Sequence, residues 1–266
     1  METRFISFET TRLAVHMAGQ GPLALLLHGY PLDHRMWLDV MQGPLAGQRT
    51  LVAIDLRGHG GSPWCGDAVH SMELFADDVS AVIHTLTDDP VDVVALSMGG
   101  YVAQALWQQH AGLVRSLALV DTRSRSDDAA GRAGREAAMQ TVVDKGRAAI
   151  AAGMLPKLLA VRAAADAHGL MLRARLQTMI EALPVETIVA DLRGLRDRPD
   201  RSAMLASIAV PTLVVVGSED VITPVAEAEQ MAKTIPGAKL AVVPGCGHMT
   251  PMEDPAAFAR ELAAFW

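Results

Sequence analysis

The order of apolar and polar positions predicts strands that alternate with helices over residues 1–121. Short apolar runs rich in Val, Ile and Leu, typical of buried strands, are separated by longer segments with apolar residues at helical spacing. The predicted strands are 4–8, 12–17, 23–27, 51–54, 91–96 and 114–120, and the predicted helices are 34–45, 72–86 and 98–110. This alternation predicts an α/β fold with a mostly parallel sheet covered by helices on both faces.

The pattern changes between residues 122 and 207. This segment is rich in Ala and Arg, has no strand pattern and predicts several helices punctuated by Gly and Pro. The alternation resumes with strands at 211–217 and 238–243 and helices at 224–235 and 255–266. We therefore expect a core domain of residues 1–121 and 208–266, and a helical cap domain of 122–207. The cap should lie over the carboxyl edge of the sheet, where open α/β sheets bind ligands.

Composition narrows the class of protein. The chain has 266 residues, half of them hydrophobic, which suits one large α/β domain or two small ones. A net charge of −7 argues against nucleic acid or an anionic membrane as the main partner. Cys65 and Cys246 are too few for a disulfide scaffold, and no ligand spacing indicates a metal site or another cofactor. Without a signal peptide or a long apolar run, we expect a cytoplasmic monomer or small homo-oligomer.

A serine lies where a predicted strand meets a predicted helix. Residues 95–99 read Ala-Leu-Ser-Met-Gly, which matches the nucleophile-elbow pattern G-x-S-x-G except for Ala95 at the first position. Such an elbow places a serine hydroxyl on a sharp turn and exposes it to a pocket. The extra methyl group of Ala95 needs only a slightly wider turn. We therefore take Ser97 as the candidate nucleophile.

Two further chemical groups follow predicted strands later in the chain. Asp220 lies in Gly-Ser-Glu-Asp after strand 211–217, and His248 lies in Gly-Cys-Gly-His after strand 238–243. A serine hydroxyl needs a base to take its proton, imidazole titrates near neutral pH, and a carboxylate orients and stabilises the imidazolium. The chain order of Ser97, Asp220 and His248 differs from the orders in chymotrypsin and subtilisin.

The acid has two alternatives, Glu219 and Asp121, and the Gly-x-x-Asp spacing favours Asp220. Asp121 ends the strand that follows the helix after Ser97. We expect His59 to pack within its glycine-rich loop. Glu253 and Asp254 are expected to open the last helix near its positive end.

Five segments together resemble the α/β-hydrolase superfamily with a helical cap over nearly the whole length. They are HGYP at 28–31, DLRGHGGS at 55–62, ALSMGG at 95–100, GSED at 217–220 and GCGHMTPMEDP at 245–255. The chain looks most like the branch of esterases, 3-oxoadipate enol-lactonases and cofactor-free haloperoxidases (perhydrolases). The resemblance implies Ser97 as nucleophile, Asp220 as acid and His248 as base. It also implies the backbone N–H groups of Tyr30 and Met98 as oxyanion donors. In proteins of this kind His28 is expected to brace the oxyanion loop.

These residues together predict an enzyme that acts on a small-molecule ester or lactone. We expect a serine hydrolase that cleaves carboxylic esters of small to medium acyl chain through an acyl-enzyme intermediate. Lactone hydrolysis and perhydrolysis on the same triad are alternatives, and a non-catalytic ligand-binding receptor is a further one. Trp37 is a tentative pocket residue. The stretch with Arg123, Arg125, Arg132 and Arg135 could hold an anionic substrate, but the interleaved acidic residues favour a solvated cap surface.

Overall fold

The computed structural model describes residues 1–8, 11–161 and 166–266. The described strands form one eight-stranded sheet with the order β1-β2-β4-β3-β5-β6-β7-β8. Their bounds are β1 Glu2–Phe8, β2 Thr11–Gly19, β3 Leu23–Leu27, β4 Thr50–Ile54, β5 Val91–Leu96, β6 Val114–Val120, β7 Thr212–Gly217 and β8 Lys239–Val243. β2 pairs antiparallel with both β1 and β4, and every other neighbouring pair is parallel. The predicted α/β fold is confirmed.

The central strands are apolar along their whole length because helices cover both faces of the sheet. All six residues of β5 and all six of β7 are buried, whereas the edge strand β8 alternates between exposed and buried positions. A parallel sheet covered on both sides requires such continuous apolar runs, while an edge strand that meets water on one face does not. Strand β5 therefore runs through the centre of the core and ends at the carboxyl edge of the sheet.

Ten α-helices lie in the part of the chain that the structure describes. They are α1 Leu38–Met41, α2 Met72–Leu86, α3 Met98–His110, α4 Ala129–Lys145, α5 Arg147–Leu158, α6 Ala167–Ala182, α7 Val185–Asp197, α8 Val225–Thr234, α9 Thr250–Glu253 and α10 Pro255–Phe265. Local signals define several starts: the Ser71 hydroxyl accepts a hydrogen bond from the Leu74 N–H at 3.1 Å, as an N-cap does. None of the described helices combines the length and apolar character needed to cross a bilayer.

The single helix predicted for residues 34–45 is wrong. The structure has a 3-10 turn at His34–Trp37, then α1, and a second 3-10 turn at Pro44–Gly47. Asp33 does cap the first turn, since its carboxylate accepts a hydrogen bond from the Arg35 N–H. Continuation fails because Gly43 is extended and a residue before proline disfavours the helical region.

Helices α4 to α7 lie between β6 and β7 in the chain, and they contact loops at the carboxyl edge of the sheet. Asp191 on α7 is fully buried and accepts a hydrogen bond from His70 Nδ1 at 2.7 Å. His59 Nε2 lies 3.0 Å from the other carboxylate oxygen. Burial by itself raises the pKa of Asp191, but the charge and hydrogen bonds of the two histidines outweigh burial and lower it. A carboxylate between two core histidines thus ties this helix to the core.

The backbone of α7 approaches the core at Gly194, which has no room for a side chain. A Cβ atom there would lie 1.7 Å from the backbone oxygen of His70, whereas one at Gly153 in α5 would meet no heavy atom within 4 Å. The carbonyl is part of the backbone and cannot rotate away. Gly194 therefore permits the close approach between α7 and the loop before α2. Division into separately folding domains at residues 122 and 207 stays a prediction.

We predict that Gly194→Ala lowers the free energy of unfolding by about 1–3 kcal/mol or more, because helix α7 must move away from His70. Gly153→Ala, in an open helical position, is the matched control and should raise it by about 0.5–1 kcal/mol. Thermal and urea unfolding of both variants measure the difference. Equal free energies of unfolding in the two variants would contradict the close approach between Gly194 and the His70 backbone.

Candidate active site

Ser97 occupies a sharp turn between β5 and α3. Its backbone has φ 53° and ψ −112°, a left-handed conformation that is strained for a residue with a side chain. The turn folds back so tightly that a Cβ at Gly99 would lie 2.4 Å from the Leu27 oxygen. Glycine is therefore required at that position. Ala95 instead lies within β5, paired with Leu27 and Leu119, and its methyl group is buried there.

The structure brings Ser97, His248 and Asp220 together from three separate strand ends. His248 Nε2 lies 2.9 Å from Ser97 Oγ, and His248 Nδ1 lies 2.8 Å from Asp220 Oδ2. Since a carboxylate only accepts hydrogen bonds, Nδ1 carries the proton and Nε2 is free to accept from the serine hydroxyl. This is the protonation state that a general base needs before it acts.

Asp220 is held as an ionised carboxylate. It accepts hydrogen bonds from the backbone N–H groups of Ile222 and Thr223 at 2.8 and 3.0 Å, and from the Thr223 hydroxyl at 2.6 Å. Burial raises the pKa of Asp220, but His248 and Thr223 outweigh burial and lower it. For His248, burial lowers the pKa, and the hydrogen bond and charge of Asp220 outweigh burial and raise it. The pair therefore favours a proton on the imidazole over one on the carboxylate.

Glu253 braces the loop that carries His248, a role that the sequence analysis missed. Its carboxylate accepts hydrogen bonds from the N–H groups of Gly247, Met249 and Ala160 at 2.9, 3.2 and 2.8 Å. It does not cap α10; Asp254 does so, with a 2.8 Å hydrogen bond from the Ala257 N–H. The proximity of Glu253 to the Gly-x-Gly-His turn was the only signal, because the bond to Ala160 spans 93 residues.

Neither alternative acid contacts His248. Glu219 is exposed, while Asp121 is fully buried behind the site. Asp121 accepts hydrogen bonds from the N–H groups of Gly217 and Thr250 at 2.9 and 3.2 Å, so it ties the end of β7 to the start of α9. Burial raises the pKa of Asp121 to about 8. A carboxyl group whose charged form is disfavoured by burial is poorly suited to stabilise an imidazolium.

The two predicted oxyanion donors lie beside the serine. Tyr30 follows β3, Met98 begins α3, and both residues line a small cavity of about 70 Å³ together with Ser97 and His248. Neither backbone N–H has an acceptor among the described residues, so both remain available to a substrate. Their role as oxyanion donors stays a prediction, because it depends on where a substrate oxygen binds.

His28 stabilises the loop that contains Tyr30. Its Nε2 accepts a hydrogen bond from the Leu56 N–H at 3.1 Å, so its Nδ1 carries the proton and donates to the Gly29 oxygen at 3.0 Å. Burial lowers the pKa of His28 to about 4, which keeps the ring neutral. The position fits the bracing role expected from the sequence.

A larger cavity of about 520 Å³ adjoins the small one. The residues that line both are Tyr30, Arg123, Arg135, Met154 and Ile222. The expectation of a solvated surface does not describe Arg123 and Arg135, which are half-buried, line both cavities and contact the carboxylate of Asp127. It holds for Arg125 and Arg132, which are exposed.

Trp37 does not reach either of these cavities, which corrects its tentative assignment to the pocket. Its side chain is fully buried, and its ring packs against Phe258 with centroids 6.1 Å apart. The 3-10 turn at His34–Trp37 directs this residue into the core instead of toward Ser97. Trp37 therefore acts as a packing residue.

Within the described residues, one group of side chains could hold a metal ion, although no sequence spacing indicated it. Single donor atoms of His16, His34 and Asp55 lie within 4.8 Å of one another. These atoms already form hydrogen bonds: Asp55 contacts His16 Nε2 at 3.1 Å and His34 Nδ1 at 2.9 Å. None of the three lines the cavities beside Ser97. Mutual hydrogen bonds account for the grouping without an ion.

Comparison with known proteins places the chain in a family. The model of the α/β-hydrolase family matches residues 24–261. A pimeloyl-[acyl-carrier protein] methyl ester esterase of Chromobacterium violaceum is 29% identical over 262 residues, which cover 94% of this chain and 96% of the relative. The chain belongs to the α/β-hydrolase family, and the resemblance recognised from its motifs is confirmed.

Solved structures agree with this assignment. A thermophilic esterase from Thermogutta terrifontis, solved with malate bound, superposes with a TM-score of 0.93 at 32% identity and covers 99% of this chain and 97% of its own. The enol-lactonase of Burkholderia xenovorans has a TM-score of 0.90 at 22% identity, with coverage of 98% and 99%. The second likeness concerns the fold alone.

We predict that Asp220→Asn lowers kcat by about 10⁴, because the imidazole loses the carboxylate that fixes its tautomer and stabilises its cation. Asp121→Asn is the matched control. It should lower the melting temperature through its two backbone contacts but reduce kcat by less than about tenfold. Steady-state kinetics on an activated ester, with circular dichroism melting, measure both effects. A larger loss of kcat in Asp121→Asn than in Asp220→Asn would reverse the assignment.

Proposed function

We propose that this protein is a serine hydrolase of carboxylic esters that acts through an acyl-enzyme intermediate. The observation that carries the proposal is the continuous hydrogen-bonded line from Ser97 Oγ through His248 to Asp220, at the wall of a cavity. The named relatives support it, since an esterase of similar length and an esterase structure at 32% identity share nearly the whole chain.

The geometry suits a two-step reaction. Ser97 Oγ attacks the ester carbonyl while His248 Nε2 accepts its proton, and the negative oxygen is held by the N–H groups of Met98 and Tyr30. His248 then donates that proton to the leaving alcohol. In the second step His248 takes a proton from water, which attacks the acyl-enzyme, and then returns that proton to Ser97 Oγ as the acid leaves. Asp220 stabilises the imidazolium in both steps.

The cavities favour small to medium acyl chains. The space next to Ser97 measures about 70 Å³ and is bounded by Met98, Met154 and Leu158. Such a narrow chamber accepts a few methylene groups readily but crowds a long chain near the carbonyl. The partner is therefore a small-molecule ester.

We predict that wild-type protein releases a rapid burst of nitrophenol from p-nitrophenyl acetate that approaches one equivalent per active site. The burst reports acylation that is faster than deacylation. Ser97→Ala should lose both burst and turnover while it keeps the wild-type melting temperature. Stopped-flow absorbance measures the burst. Turnover near the wild-type rate in Ser97→Ala would refute the nucleophile, and a folded wild-type protein without any turnover would favour the ligand-binding receptor.

We predict a fall in kcat/KM along a series of p-nitrophenyl esters from butyrate through laurate to palmitate. The reason is the small volume of the chamber beside the serine. Initial rates below the micelle concentration of each ester measure the series. A maximum at palmitate would contradict the proposed chain length without bearing on the triad.

A further inference from the structure

The large cavity carries an excess of positive charge close to the candidate nucleophile. Arg123, Arg135 and Lys157 line it, and Asp127 is the single carboxylate among the described residues that line it. Other lining side chains, such as Ala138, Ile150 and Leu192, are apolar. A chamber with apolar walls and two uncompensated cations is suited to an apolar chain that ends in an anion.

Asp127 cannot neutralise the arginines around it. Its carboxylate is shared among three guanidinium groups: one oxygen contacts Arg123 and Arg198, and the other contacts Arg135 Nε at 3.0 Å. Burial raises the pKa of Asp127, but the arginines outweigh burial and lower it to about 2, so it is fully ionised. The single carboxylate of Asp127 therefore orients three guanidinium groups but neutralises only one of their three positive charges.

Two polar atoms at this place have no partner. The Tyr30 hydroxyl and Arg123 Nε are both buried and form no hydrogen bond within the described chain. Tyr30 is only 8% exposed, and both residues line the small cavity at Ser97 as well as the large one. Buried polar groups are nearly always satisfied, so each unpaired donor indicates a partner outside the described part of the chain.

We propose that the large cavity binds a carboxylate on the substrate, so that the preferred ester is the monoester of a dicarboxylic acid or an ester of similar charge. The carboxylate accepts hydrogen bonds from Arg123 and the Tyr30 hydroxyl, with Arg135 adding its charge. Guanidinium groups bind carboxylates well, and both arginines line the cavity at Ser97 as well as the large one. The inference rests on the proposed esterase function, since it names the substrate class of the same site.

The test compares esters that differ only in charge. Monomethyl succinate, adipate and suberate are each paired with the neutral amide of the same length, and kcat/KM is measured by methanol release. At the best length, wild-type protein should prefer the carboxylate by about tenfold to a hundredfold, the range that one hydrogen bond to a charged group supplies. Arg123→Gln and Arg135→Gln should each reduce this ratio about tenfold or more.

Arg125→Gln is the matched control, because Arg125 belongs to the same segment, is exposed, pairs with Glu227 and lines neither cavity. It should keep the wild-type ratio. The variant Lys157→Gln covers the case in which the arginine variants fail to fold, because Lys157 lines the cavity and is exposed. It should reduce the ratio by a smaller factor.

Binding to Ser97→Ala separates this inference from the esterase proposal. Calorimetry should show tighter binding of monomethyl adipate than of its amide, whether or not the wild-type protein hydrolyses either compound. Equal kcat/KM or equal affinity for charged and neutral partners at every length would overturn the anion site while leaving the esterase intact. An equal loss of preference in Arg125→Gln and Arg123→Gln would also overturn it.

Discussion

The chemistry depends on one imidazole ring held between a hydroxyl and a carboxylate. His248 contacts Ser97 on one side at 2.9 Å and Asp220 on the other at 2.8 Å. Because the ring is buried, its charged form is costly unless the carboxylate stays close. The fold around the site can be understood as the set of contacts that keeps these three groups in line.

Several of those contacts come from residues that take no part in the reaction. Gly99 and the strained backbone of Ser97 fix the elbow, Glu253 holds the turn before His248, and Asp121 joins the end of β7 to α9. The two carboxylates accept hydrogen bonds from buried backbone N–H groups that would be costly to leave unpaired. Gly99 allows a close backbone approach that a side chain would block. The helices above the sheet are tied in as well, since His248 N–H donates to the Leu158 oxygen at 3.0 Å. The end of α5 is therefore linked directly to the backbone of His248.

The sequence predicted the fold and the three central groups because their signals are local. Apolar runs located β3 and β5, Ser71 located the start of α2, and short Gly-rich segments after strands marked Ser97, Asp220 and His248. The rest depended on contacts between distant parts of the chain. The break after α1, the inward position of Trp37, the brace by Glu253 and the turning of Arg123 and Arg135 toward the cavity follow from packing that no short pattern records.

Covalent labelling tests the central arrangement most directly. A fluorophosphonate reacts with a serine only when a base removes its proton and donors hold the new oxyanion. Incubation with this reagent followed by peptide mass spectrometry should place a single phosphonyl group on Ser97, and His248→Ala or prior unfolding should abolish it. Labelling of another serine, or equal labelling of folded and unfolded protein, would contradict the account.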